Sequence, residues 1–131
     1  MPYVLPSPDI HKGRAFSNSQ GHTECVEFIK QTLSAPATAL WREGAKIKKL
    51  SPGDQDPIAK GTAIATFVAG RYPQTGSTGK HAAIYLGQSV EGIQVMDQWR
   101  SQGRVMPRTI PWKPRHPGLS NDANAFSAVE W

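Results

Sequence analysis

Cysteine is all but absent from this chain: among 131 residues there is one, Cys25. A single thiol excludes an internal disulfide and leaves itself free to react. No apolar run approaches the roughly 20 residues that cross a bilayer as a helix, so membrane insertion is not expected. Residues 1–9 hold neither a basic n-region nor an apolar h-region, and no classical signal peptide is expected. His11, His22 and His116 stand at no standard ligand spacing from another His, Cys or carboxylate, which argues against zinc. Asp54 and Asp56 lack the pattern of a calcium loop. The Gly79-Lys80 pair lacks the rest of a phosphate loop, because Gln74 and His81 stand where that motif needs Gly and Ser or Thr. Neither metal nor organic cofactor is therefore expected.

Acidic residues are also few, 10 against 15 Lys and Arg, giving a net charge of +5. The cations are scattered, with Lys46, Lys48 and Lys49 as the dense cluster and Arg100, Arg104 and Arg108 recurring every four residues. No aromatic interleaving accompanies them, so nucleic acid is not an expected partner. They read first as solvated surface and second as a field drawing an anionic polymer. A hydrophobic content of 38%, with 11 Pro and 12 Gly, fits one domain over residues 1–131 built from short elements. Residues 1–20, rich in Pro, Ser and Asn, read as an irregular arm.

What is present centres on Cys25. Cys25, Phe28, Ile29 and Thr32 fall at i, i+3, i+4 and i+7, with Val26 and Leu33 widening the stripe, which predicts an amphipathic helix ending before Pro36. Thr23 is the expected N-cap, and Glu24 and Glu27 suit a helix start. A thiol in that first turn meets unpaired N–H groups and the positive end of the dipole, both of which favour a thiolate. On its own, a lone cysteine on an apolar face is more often a small buried hydrophobe.

Residues 80–87 and 92–99 read as a hairpin. A register with Tyr85 opposite Ile93 sets His81 opposite Asp97 on one face. Cys25 as nucleophile, His81 as base and Asp97 as its orienting group then form a triad, and a one-residue slip would offer Gln98 in place of Asp97. Residues 60–69 form the strongest strand, with Ile64, Phe67 and Val68 as core residues. Residues 44–50 and 105–110 are further strands, residues 125–131 a strand closing the sheet edge, and Trp41 a core plug. The loop 70–79 ends at His81, and Tyr72 or Ser77 would give it substrate contacts. Gln98 and Trp99 are candidates for the same role beyond Asp97.

A Cys at a helix start, a glycine-led strand at residues 61–67, then His81-Ala82-Ala83-Ile84-Tyr85-Leu86-Gly87 and Val95-Met96-Asp97-Gln98-Trp99 resemble the papain-like NlpC and CHAP cell-wall amidases. The likeness is nearest to the small amidase effectors of type VI secretion, and it covers about residues 21–112. Glu24 is a departure, standing where CHAP domains usually carry Gln. The resemblance implies an α+β papain-like fold, with the Cys-bearing helix packed on an antiparallel sheet. It implies a cysteine amidase acting on peptidoglycan peptide stems or cross-links, with Cys25, His81 and Asp97 as catalytic residues. It further implies export without a classical signal peptide by a secretion apparatus component, action in the periplasm of target bacteria, and a cognate immunity protein as partner. A phage or autolytic CHAP-type lysin, and a non-catalytic binding domain of the same fold, are the alternatives.

Overall fold

A computed structural model describes residues 2–76, 79–116 and 118–131. Ser77, one of the expected loop contacts, lies outside the described residues. Among the described residues the elements run α1 (Cys25–Leu33), β1 (Arg42–Lys46), β2 (Ala63–Thr66), β3 (Ala82–Gln88), β4 (Gly92–Asp97), β5 (Met106–Pro111) and β6 (Phe126–Glu130), with one short 3-10 turn before α1 and three between the later elements. The strands form one antiparallel sheet in the order β1-β6-β2-β3-β4-β5. The expected α+β layout, a Cys-bearing helix packed on an antiparallel sheet, is the one found.

Strand residues alternate between two buried layers, as a pleat requires. Ala63, Ala65, Ala82, Ile84 and Met96 face Phe28 and Ile29 of α1 together with Trp41, Tyr72 and Leu5. Ile64, Ala83, Tyr85, Ile93, Val95 and Phe126 point the other way, against Ile47, Ile110 and Trp112. The helix side is lined by alanines at the centre of the sheet, so α1 lies close to the strands and its N-terminus reaches the start of β3. The arm is tied down as a partial strand: Ala63 N–H donates to Tyr3 O and Leu5 N–H to Gly61 O. Gly61 has a φ of +99°, and a Cβ there would stand 2.3 Å from the Leu5 carbonyl oxygen, so only glycine lets the arm dock.

Several expectations are corrected. The helix starts one residue later than an N-cap at Thr23 would place it: Glu24 is the N-cap and Cys25 the first helical residue, while the Thr23 hydroxyl donates to Trp99 O instead. The β3–β4 ladder pairs Ile84 with Met96 and Tyr85 with Val95, two residues from the expected register, with a bulge between Tyr85 and Gly87. β2 is only four residues long, and Val68 beyond it is 54% exposed. β6 does not close an edge; it lies inside the sheet between β1 and β2. No helix among the described residues is long and apolar enough to cross a membrane.

Candidate active site

A two-residue slip keeps each side chain on its own face, so the corrected register still sets His81 and Asp97 on the same side. Continuing the ladder puts Asp97 beside Ala83, with His81 diagonal to it and within side-chain reach. His81 Nε2 and Asp97 Oδ2 stand 2.6 Å apart, with the imidazole nearly buried and the carboxylate wholly so. Thr66 fixes the histidine backbone from both sides: its Oγ1 accepts from His81 N–H and its own N–H donates to His81 O. With Nε2 committed to Asp97, Nδ1 is the nitrogen left to serve a sulfur.

That sulfur is Cys25, partly exposed at the first position of α1. Burial pushes its thiol up. The hydrogen bond and charge of His81, the Ala82 N–H and the Tyr72 hydroxyl outweigh this and bring it below the ordinary thiol value. For His81, burial opposes the charged ring. The Asp97 hydrogen bond and then that of Cys25, with the charges of both, overcome this and raise it to about 9. The two shifts run in the same direction, each favouring a thiolate beside an imidazolium.

Cys25 and His81 open into a cleft of about 670 Å³, lined also by Glu24, Tyr72, Lys80, Trp99 and Arg100. The Tyr72 hydroxyl lies 3.8 Å from the Cys25 sulfur. Burial, then the Cys25 charge and hydrogen bond, raise the Tyr72 phenol well above its ordinary value, so it keeps its proton and remains a donor.

Comparison with known proteins shows the family of the chain. The family model described as Domesticated amidase effector 2 matches residues 3–129. A Type VI secretion amidase effector 2 protein of Salmonella typhi is 36% identical over 146 residues, spanning 99% of this chain and all of that protein. A solved structure of Type 6 secretion amidase effector 2 (Tae2) superposes with a TM-score of 0.80 at 36% identity, covering 99% of this chain and 95% of the other. The chain belongs to the Domesticated amidase effector 2 family. The resemblance to type VI secretion amidase effectors is thereby borne out, and with it the papain-like fold.

Within this family frame the remaining candidates have distinct places. Trp99 walls the cleft, its ring edge-on to His81 at 6.3 Å between centroids. Gln98, expected among the substrate contacts, is fully buried and turned the other way. Its Oε1 accepts from Phe16 N–H, and its Nε2 donates to Phe16 O and Glu24 O. Consecutive strand residues face opposite sides, so Asp97 on the histidine side obliges Gln98 to face the helix side, where it pins the arm to the start of α1. Glu24 pairs with Arg100 at 2.6 Å on the rim. Arg108, read from the sequence only as one of the scattered surface cations, belongs to the site. Its Nε donates to the same Asp97 Oδ2 at 2.7 Å, and its guanidinium lies 5.0 Å over the Trp99 ring. Residues 105–110 were legible as a strand, but its pairing with β4, which sets Arg108 opposite Val95 and diagonal to Asp97, was not. Among the described residues no group of three or more His, Cys, Asp or Glu could hold a metal.

Proposed function

We propose that the chain acts, as a single domain, as a cysteine amidase on peptidoglycan peptide stems or cross-links, delivered by type VI secretion as an antibacterial toxin. The observation that carries this reading is the partly exposed Cys25 thiol at a helix N-terminus, lowered by a His81 that Asp97 orients. Cys25 is the nucleophile, His81 the acid and base, and Asp97 the group fixing the ring and stabilising its charge. A buried, unreactive cysteine would have favoured a binding domain instead.

The thiolate attacks the amide carbon, and the oxyanion that forms takes hydrogen bonds from the Cys25 N–H and the Tyr72 hydroxyl. The first N–H groups of a helix have no intrahelical partner, so the Cys25 N–H is available. His81 gives its proton to the departing nitrogen as the C–N bond breaks, leaving a thioacyl enzyme. Neutral His81 then takes a proton from water, whose oxygen attacks the thioester and releases Cys25. Trp99 and Tyr72, both lining the cleft, would contact the peptide. The scissile bond is γ-glutamyl to diaminopimelate within a stem, or D-Ala to diaminopimelate in a cross-link. Action in the periplasm of a target cell, and a cognate immunity protein covering this cleft, belong to the same reading.

The test is digestion of purified Gram-negative sacculi by wild type and Cys25→Ala, with products separated and identified by mass. Wild type should remove cross-linked dimers or intact stems, and Cys25→Ala should leave both. Sacculi untouched by folded wild type would reject the amidase.

A further inference from the structure

The cleft does not end at His81. A second cavity, of about 290 Å³, shares Lys80, His81 and Trp99 with the first and continues past the imidazole to Gly79, Arg108, Ser120 and Asn121. Cys25 does not line it. Trp99 is the ridge between the two, edge-on to His81 and carrying the Arg108 guanidinium on its face. Arg108 meets Asp97 through Nε, its one side-chain hydrogen bond among the described residues, so its two terminal nitrogens are left for a ligand.

We propose that this second cavity receives the amine half of the substrate, and that Lys80 and Arg108 hold a carboxylate of that half there. The inference rests on the amidase reading and adds direction to it. In the acylation step the carbonyl carbon bonds to the Cys25 sulfur, the C–N electron pair passes to nitrogen, and nitrogen takes its proton from His81. The acyl half therefore stays on the side of Cys25 and Tyr72, and the departing amine lies toward the imidazole and beyond it. The cavity beyond the imidazole presents two cations, a hydroxyl and an amide, and no carboxylate lines it among the described residues. A planar guanidinium with free terminal nitrogens matches a carboxylate better than any neutral group. Either bond considered above releases diaminopimelate as the amine, a residue that carries a carboxylate outside the stem's main chain.

The experiment uses two muropeptides identical except in the amine-side diaminopimelate, one with the free carboxylate and one with that carboxylate converted to the amide. Wild type should favour the carboxylate form in kcat/KM by about tenfold or more, the scale of one charge-assisted hydrogen bond. Lys80→Gln and Arg108→Gln should each reduce that preference several-fold. Because the preference is a ratio, any loss that Arg108→Gln causes through Asp97 cancels. Equal rates on the two muropeptides, or a preference that both variants keep, overturn the subsite and leave the amidase standing. Cleavage of neither, by a protein that also leaves sacculi intact, overturns both.

Discussion

Two arginine–carboxylate pairs flank the cleft, alike in distance and unlike in surroundings. On one side Arg108 Nε meets Asp97 at 2.7 Å, with the Asp97 side chain wholly buried and that of Arg108 26% exposed. On the other, Arg100 Nε meets Glu24 at 2.6 Å, with the side chains 63% and 36% exposed. Distance does not rank them. Water screens the outer pair to about 1 kcal/mol or less. The inner carboxylate has lost its water, and a buried charge persists only where its partners compensate it. Both of its partners, His81 and Arg108, meet the same oxygen, Oδ2. The inner pair therefore sets the chemistry of the histidine, and the outer one decorates a rim.

Replacing Asp97 is the strongest way to test that contrast. Asp97→Asn keeps the shape but removes the charge that stabilises the imidazolium, and kcat/KM for muropeptide hydrolysis should fall on the order of 10³- to 10⁴-fold. The Cys25 thiol should rise with it, so alkylation by iodoacetamide at pH 7 should slow. A folded Asp97→Asn protein retaining a tenth of the activity would reduce the inner pair to a structural one. Next in size is Tyr72→Phe. Losing one preorganised donor to the oxyanion should cost about 10²-fold in kcat with little change in KM. A change confined to KM would make Tyr72 a substrate contact and nothing more.

The pH profile carries a smaller, graded effect. His81 is raised to about 9 and Cys25 is lowered, so the charged pair exists between those values. Above pH 9 the imidazolium loses its proton, and kcat/KM should fall about tenfold per unit. Below the thiol's lowered value the acid limb should appear as Cys25 takes up a proton. Stability follows the same sign for the histidine: its contribution is complete below 6.5, its ordinary value, and disappears as pH rises through about 9. In Cys25→Ala the imidazole, followed by NMR, should titrate lower than in wild type, because the hydrogen bond and charge of the sulfur are gone. An unchanged titration would mean that Asp97 alone holds the proton.

Periodicity made the helix and the hairpin legible, because both are local. The i, i+3, i+4 stripe around Cys25 and the alternation in residues 80–99 are properties of short windows, and parity kept His81 with Asp97 despite the wrong register. What was not legible depends on distant chain. Nothing in residues 125–131 says that this strand enters the sheet between β1 and β2 rather than closing an edge. The Thr23 hydroxyl is diverted from capping by Trp99, 76 residues away. Gln98 could be assigned to the helix side by alternation alone, yet its partners Phe16 and Glu24 come from the arm and the helix start. Arg108 enters the site through a third strand whose register no local pattern set.

The rim pair supplies the smallest effect and the sharpest control. Glu24→Gln removes the ion pair with Arg100 and puts at this position the residue usual in CHAP domains. It leaves untouched the Glu24 carbonyl, which accepts from Gln98 and holds the start of α1 in place. The helix should therefore stay where it is, with stability in urea changed by no more than about 0.5 kcal/mol. Glu24 also adds its charge to the forces that raise the Tyr72 phenol, but as the last of them, behind burial and Cys25. Tyr72 should remain protonated in the variant, and kcat/KM should stay within about threefold of wild type. A loss approaching that of Asp97→Asn would mean that exposure is the wrong measure of these two pairs, and that the rim carboxylate acts on the thiolate directly.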